Sequence, residues 1–301
     1  MATTKMRSLG SGCLSQITTI FLDLDNTLIP TRKADAKACN KLVDFLQEEH
    51  GMSREAALVS TSTFLRTFRR CPDNEELPLE EWRCHLWSEA LPEPFKCLSS
   101  EVYRTWLQLR LRYMAPTAEN VKLLESLRSN FILALITNGP SAAQWEKVNR
   151  LNLAKYFDCI LVSGDLPWEK PDARIYHAAC NLLSVQAHQC IMIGDKLETD
   201  IQGGKEAKLG ATFWLPLTSA ERAEPQVGLM PDFTIHNLSD ILAVLPCGGK
   251  TCGRFPASRN RCSSIGTTGS GAMRRARVPY NRRVASLPDL DNCNSNSSDG
   301  S

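Results

Sequence analysis

Four short polar clusters in this 301-residue chain carry the residue types that handle a phosphate group: Asp23-Leu24-Asp25-Asn26-Thr27, Thr137-Asn138, Glu169-Lys170-Pro171, and Gly194-Asp195 with Asp200. Brought to one point, they supply carboxylates, one amine, and hydroxyl and amide donors. Carboxylates so close repel one another and raise their pKa values unless a cation intervenes. A divalent ion resolves the conflict, and magnesium suits an oxygen-only site that keeps some waters and takes a phosphate oxygen. Lys170 would neutralise further phosphate charge, and Thr137 and Asn138 would donate hydrogen bonds to its oxygens. Asp23 and Asp25 are two positions apart, so in extended backbone both project to the same side, one ahead of the other. One can attack phosphorus while the other protonates the leaving oxygen and later takes a proton from water, which is catalysis through an aspartyl phosphate.

Such residues must be held at strand ends. The apolar stretch 17–24 reads as a buried strand running directly into Asp23, Asp25 and Asn26. Further strands are expected over 131–136, 159–162, 190–193 and 211–215, with helices after Thr117 and over 172–183 and 199–208. Strand and helix alternating at this spacing imply an α/β fold, a doubly wound parallel sheet covered on its faces. Ligands bind such sheets outside the carboxyl ends of the strands, where each cluster falls. An edge strand over 232–236 and a last helix over 238–245 complete the expected core.

Between the first strand and Pro116 the pattern is helical only. Cys39, Leu42, Val43 and Leu46 share one face and stop at Gly51, and Ser53 is placed to cap a second helix carrying Ala57, Thr61, Phe64, Leu65 and Phe68. Leu79, Trp82 and Leu86 mark a third helix, and Val102, Trp106, Leu109 and Tyr113 a fourth. This reads as a small helical bundle inserted over 30–115 into a core made of 17–29 and 116–245, after an N-terminal extension over 1–16. The aromatic stripes read as bundle core.

The net charge of +2 conceals a division: residues 246–301 hold nine Lys and Arg against three Asp and Glu. That segment has little apolar periodicity and is rich in Gly and Ser, so it is expected to be a disordered basic tail. Its arginines, among them Arg274, Arg275 and Arg277, suit a solvated linker better than nucleic acid. A binding protein that uses this tail beside a vestigial catalytic core is the rival reading from another class, and its affinity would fall steeply with salt. The twelve cysteines mostly stand alone among apolar neighbours and read as reduced thiols. Apolar runs are far too short for a membrane span, and the N-terminus lacks the apolar stretch of a secretory signal, so a cytoplasmic location is expected.

Each cluster alone also reads as a turn or a helix cap. Together and in order, D-x-D-x-T, Thr-Asn after a second strand, Lys before Pro, and G-D-x-x-x-x-D resemble the four motifs of the haloacid dehalogenase-like superfamily. The resemblance spans about residues 17 to 217 and implies a Rossmann-type core with a helical cap. It also implies the following roles. Asp23 would be the nucleophile and a metal ligand. Asp25 would be the acid/base, giving the metal its backbone carbonyl, and Asp195 would complete the protein ligands to Mg2+. Amides at Leu24, Asp25 and Asn26, with Thr137, Asn138 and Lys170, would hold phosphate. Thr27 and Asp200 would support from behind, Asp200 by orienting Lys170.

Gly194–Gly204 and Leu86–Leu91 narrow the resemblance to a phosphatase of a small phosphorylated sugar acid. A broader sugar-phosphate phosphatase or a phosphomutase is the alternative. The carboxylate of a sugar acid calls for a cap arginine, with Arg66, Arg69, Arg104, Arg110 and Arg112 as candidates. Two departures from the superfamily pattern stand out: Lys196 follows Asp195 and is expected to face solvent, and Pro140 removes one backbone donor from its loop.

Overall fold

The computed structural model describes residues 14–70, 77–217 and 229–245. The tail expected over 246–301, with its arginines and cysteines, lies outside the described residues, as does most of the expected N-terminal extension.

Thr19 and three apolar residues in extended backbone, Thr19–Leu22, make strand β1, with every side chain buried. Burial on both faces is what a central parallel strand requires. On one side β1 pairs with β2 (Ile132–Thr137), and on the other with β4 (Cys190–Gly194), both parallel. The full six-stranded order is β3-β2-β1-β4-β5-β6, with β3 at Cys159–Val162, β5 at Ala211–Trp214 and β6 at Phe233–Thr234. This is the Rossmann-type α/β order, and the direction in which successive strands are added reverses between β1 and β4. A crevice opens at that reversal.

Four helices lie between β1 and Pro116. They are α1 (Thr31–His50), α2 (Arg54–Phe68), α3 (Leu79–Ala90) and α4 (Ser99–Met114). Gly51 ends α1 in the left-handed conformation at φ 65°, and Ser53 caps α2 by accepting from the amide of Ala56. Their apolar faces form a core of their own around Leu42, Phe64, Trp87 and Trp106, and the rings of Phe64 and Trp87 stack at 3.8 Å. The sheet has a separate core around Leu22, Leu135 and Ile193. Helices α5 (Ala118–Arg128), α6 (Ser141–Arg150), α7 (Ala173–Leu183) and α8 (Gln202–Glu206) alternate with the remaining strands.

Several boundaries differ from expectation. The first strand is half the expected length, because beyond Leu22 the chain turns back and the carbonyl of Leu24 accepts from both Leu28 and Ile29. The single helix expected over 199–208 is a π-turn at Leu197–Ile201 leading into the short α8. Glycines at 203 and 204 weaken helix propensity there, and Asp200 turns its side chain back to the Lys196 amide. The last helix is a 3-10 segment at Leu238–Ala243, and the edge strand keeps only two residues.

Candidate active site

Asp23 immediately follows β1, and its amide donates to Ile193 of β4, which fixes the loop over the crevice. The Asp23 carboxylate is buried and accepts a hydrogen bond from Lys170 Nζ at 2.7 Å. The same ammonium reaches Asp200 at 2.6 Å and the carbonyl of Ile136 at 2.9 Å, so all three of its protons are placed. Asp195 follows β4, and Asp23, Asp195 and Asp200 bring ligand oxygens within 4.8 Å of one another. Gly194 permits this approach: a Cβ there would stand 2.1 Å from Asp200 Oδ2.

Three buried carboxylates around one ammonium leave the cluster short of positive charge. Burial, reinforced by the charges of Asp23 and Asp200, pushes the Asp195 carboxyl up to about 7. Burial likewise carries Asp23 to about 6 against the pull of Lys170. Lys170 itself is raised: burial opposes its charge, but Asp200 and Asp23 outweigh that. Asp195 Oδ2 is buried with no hydrogen-bond partner. An oxygen-only set with an unpaired anionic atom fits a hard divalent cation. Behind it, the indole N–H of Trp214 donates to the backbone carbonyl of Asp195 at 2.9 Å.

Asp25 lies in different surroundings. Lys147 Nζ binds both its oxygens, at 2.8 and 2.6 Å, Gln144 Nε2 donates at 3.1 Å, and Thr31 adds a short hydroxyl bond. Burial would raise this carboxyl, but the Lys147 charge and these hydrogen bonds hold it at about 2. Asp25 is therefore anionic here, and it stands outside the group of three clustered carboxylates.

Two expected phosphate donors are spent on other tasks. The Asn26 amide donates to the carbonyl of Ile29 at 2.7 Å, with Asn26 at φ 64°, and its side chain receives the Arg32 amide. The Asn138 side chain is doubly paired with the backbone of Lys170, at 2.8 and 2.9 Å, so it positions the lysine. Leu24 is fully buried and does not line the cavity. Thr27, expected to support the loop from behind, is buried there with its hydroxyl unpartnered. Thr137 differs: its hydroxyl lines the cavity, buried and unpartnered, and so is available as a donor. Lys196 is exposed, yet it also lines the cavity, where its charge acts on Asp195.

The cavity over these residues has a volume of about 380 Å³. Asp23, Thr137, Lys170 and Asp195 form its floor, and its helical-bundle wall carries Arg32, Arg69, Arg83 and Arg110 beside Asp35 and Phe68. Of the arginines expected there, Arg69 and Arg110 line the cavity, whereas Arg66, Arg104 and Arg112 do not. Arg110 is buried and paired with Asp35 at 2.6 Å, and Arg83 with Glu146 at 2.7 Å. Both guanidinium groups pack over Phe68, whose ring thus belongs to the cavity as well as to the bundle core.

Sequence reading missed Arg83, Gln144 and Lys147. The last two lie one helical turn apart on α6, and charge burial, their distinguishing trait, has no local signature.

The haloacid dehalogenase-like hydrolase family matches residues 17–208, and the chain belongs to it. It is a phosphoric monoester hydrolase, in keeping with the phosphatases it is similar to. Among these is the N-acylneuraminate-9-phosphatase of Rattus norvegicus, 33% identical over 243 residues, covering 77% of this chain and 95% of the rat protein. The N-acylneuraminate-9-phosphatase of Homo sapiens is 36% identical over 208 residues, covering 67% and 84% respectively. The fold is also that of the HAD-hydrolase YfnB from Bacillus subtilis, solved bound to magnesium. That match has TM-score 0.52 and 20% identity, and covers 77% of this chain and 99% of YfnB.

Proposed function

We propose that this protein is a cytoplasmic, magnesium-dependent phosphatase that releases phosphate from an N-acylneuraminate 9-phosphate, using Asp23 as nucleophile. The observation that carries the chemistry is the Lys170 bridge between Asp23 and Asp200 beside the unpaired oxygen of Asp195. Asp23, Asp195 and the backbone carbonyl of Asp25 would hold Mg2+, with Asp200 orienting Lys170. The ion would supply Lewis-acid neutralisation of phosphate charge.

An Asp23 oxygen attacks phosphorus as the ester P–O bond breaks, and Asp25, which must first take up a proton against the pull of Lys147, passes that proton to the leaving oxygen. Water then loses a proton to Asp25 and attacks the phosphoaspartate, breaking the Asp23–phosphorus bond and restoring both groups. The anionic Asp25 described above is the form that accepts the proton from water. Lys170 and the Thr137 hydroxyl stabilise negative charge on the phosphoryl oxygens throughout.

Substrate choice rests on the opposite wall. Arg110 is paired with Asp35 and Arg83 with Glu146, which leaves Arg32 and Arg69 to make that end of the cavity cationic, and this suits an ester carrying a second anion far from phosphorus. A sugar acid has one and a neutral hexose does not. The bundle over 30–115 acts as the cap that excludes water during transfer. The deciding experiment compares kcat/KM for N-acetylneuraminate 9-phosphate with glucose 6-phosphate and other hexose phosphates. A preference of at least about 100-fold for the sugar acid is expected. Equal values would remove the substrate assignment and leave a general sugar phosphatase.

A further inference from the structure

Four consecutive residues of α6 hold three different parts of the molecule. Gln144 donates to Asp25, Trp145 Nε1 to Asp165 at 2.7 Å, Glu146 accepts from Arg83 of the bundle, and Lys147 grips both oxygens of Asp25. Ser141, at the start of the same helix, donates to the other oxygen of Asp165 at 2.5 Å. The helix is thus tied to the loop after β3, to the bundle, and to the loop after β1. Gln144 reaches its place across Gly139, where a Cβ would stand 2.6 Å from Gln144 Nε2.

Lys147 and Gln144 are both buried, a costly position for an ammonium unless a partner is fixed beside it. That partner, Asp25, lies 122 residues away in sequence. Neither Lys147 nor Gln144 belongs to the apolar sheet core, to which α6 contributes Val148 instead. From this geometry we infer that Lys147, assisted by Gln144, is a positioning residue: it sets where the Asp25 carboxyl stands relative to the leaving oxygen, and α6 is braced on three sides to keep it there. The inference rests on the acid/base reading of Asp25 given above.

Leaving-group dependence tests it. An alkyl ester needs a proton delivered to its departing oxygen, whereas p-nitrophenolate leaves without one. The ratio kcat/KM reports steps up to phosphoryl transfer onto the enzyme, so the later water attack does not enter. Lys147→Met should lower kcat/KM for N-acetylneuraminate 9-phosphate roughly 100-fold, the scale of a small misplacement of a reacting group, and for p-nitrophenyl phosphate less than about threefold. Lys147→Arg should recover most of the alkyl-ester rate. Gln144→Leu removes one donor and keeps the charge, so it gives the same selectivity at smaller size should Lys147→Met unfold.

Equal losses on both esters, or no loss on either, would overturn the assignment, since damage to the fold or to phosphate binding does not distinguish leaving groups. Asp25→Asn serves as the reference. If it is selective and the Lys147 and Gln144 variants are not, the positioning role alone fails. If Asp25→Asn is itself unselective, the acid role of Asp25 fails and the inference falls with it.

Discussion

Lys170 Nζ stands 2.7 Å from the Asp23 carboxylate across 147 residues of sequence, and the ammonium reaches it from the loop after β3 past the end of β2, where it also binds the Ile136 carbonyl. The loop carrying Lys170 is held in turn by the doubly bonded Asn138 beyond β2. Removing the Asp23 charge therefore tests chemistry with the scaffold left in place. Asp23→Asn is expected to reduce phosphate release by roughly 10⁴-fold or more, with an unchanged circular dichroism spectrum. Ordinary turnover by this variant would end the case for a covalent phosphoaspartate.

Gly194→Ala probes the close approach behind that pair. A methyl group 2.1 Å from Asp200 Oδ2 must displace the carboxylate from Lys170. A stability loss of about 1–3 kcal/mol is expected from overpacking, together with a fall in kcat. Urea unfolding and steady-state kinetics measure the two effects.

Asp195 and Asp23 give the protein an unusual pH response when divalent cations are chelated. Their folded-state pKa values, about 7 and about 6, lie above the unfolded value of 3.8, so the folded state binds more protons between those limits. Stability should then fall as pH rises from about 4 to about 7. Asp25 acts oppositely: held at about 2, its contribution is lost as pH falls below 3.8. Unfolding midpoints in EDTA should peak near the meeting of the two windows, and added Mg2+ should abolish the decline on the alkaline side. A midpoint that climbs steadily from pH 4 to 7 in chelator would contradict this account of the cluster.

Arg69 is the most direct test of the anionic end of the substrate. It is exposed on the cavity wall and forms no salt bridge among the described residues, so its removal leaves no buried carboxylate stranded. Arg69→Ala should lower kcat/KM for a sugar acid phosphate roughly 10-fold, the worth of one charged hydrogen bond, and leave glucose 6-phosphate unaffected. Matching losses on both substrates would assign Arg69 to the phosphate end.

The parallel sheet was legible because its strands are continuous apolar runs ending in acidic or amide residues, a pattern fixed by burial on both faces and by the crevice at the carboxyl ends. Asp23, Thr137, Lys170, Asp195 and Asp200 stand at such ends and come together. Other details were not legible, for identifiable reasons. Whether Asn138 faces a ligand or the backbone of Lys170 depends on the path of a loop 32 residues away. Arg83 joins Glu146 over 63 residues, and Lys147 joins Asp25 over 122. Tertiary placement decides both pairs, and helical spacing is silent about them. The helix expected over 199–208 failed because the Asp200 side chain, bound to the Lys196 amide, imposes a wider turn than local propensity dictates.

The bond from the Trp214 indole to the Asp195 carbonyl has an optical consequence. Indole fluorescence shifts in wavelength and yield with the electric field along its N–H direction, and this N–H ends on Asp195, a ligand of the proposed cation. Titrating the protein with Mg2+ should therefore change Trp214 emission, a response expected to be lost in Trp214→Phe.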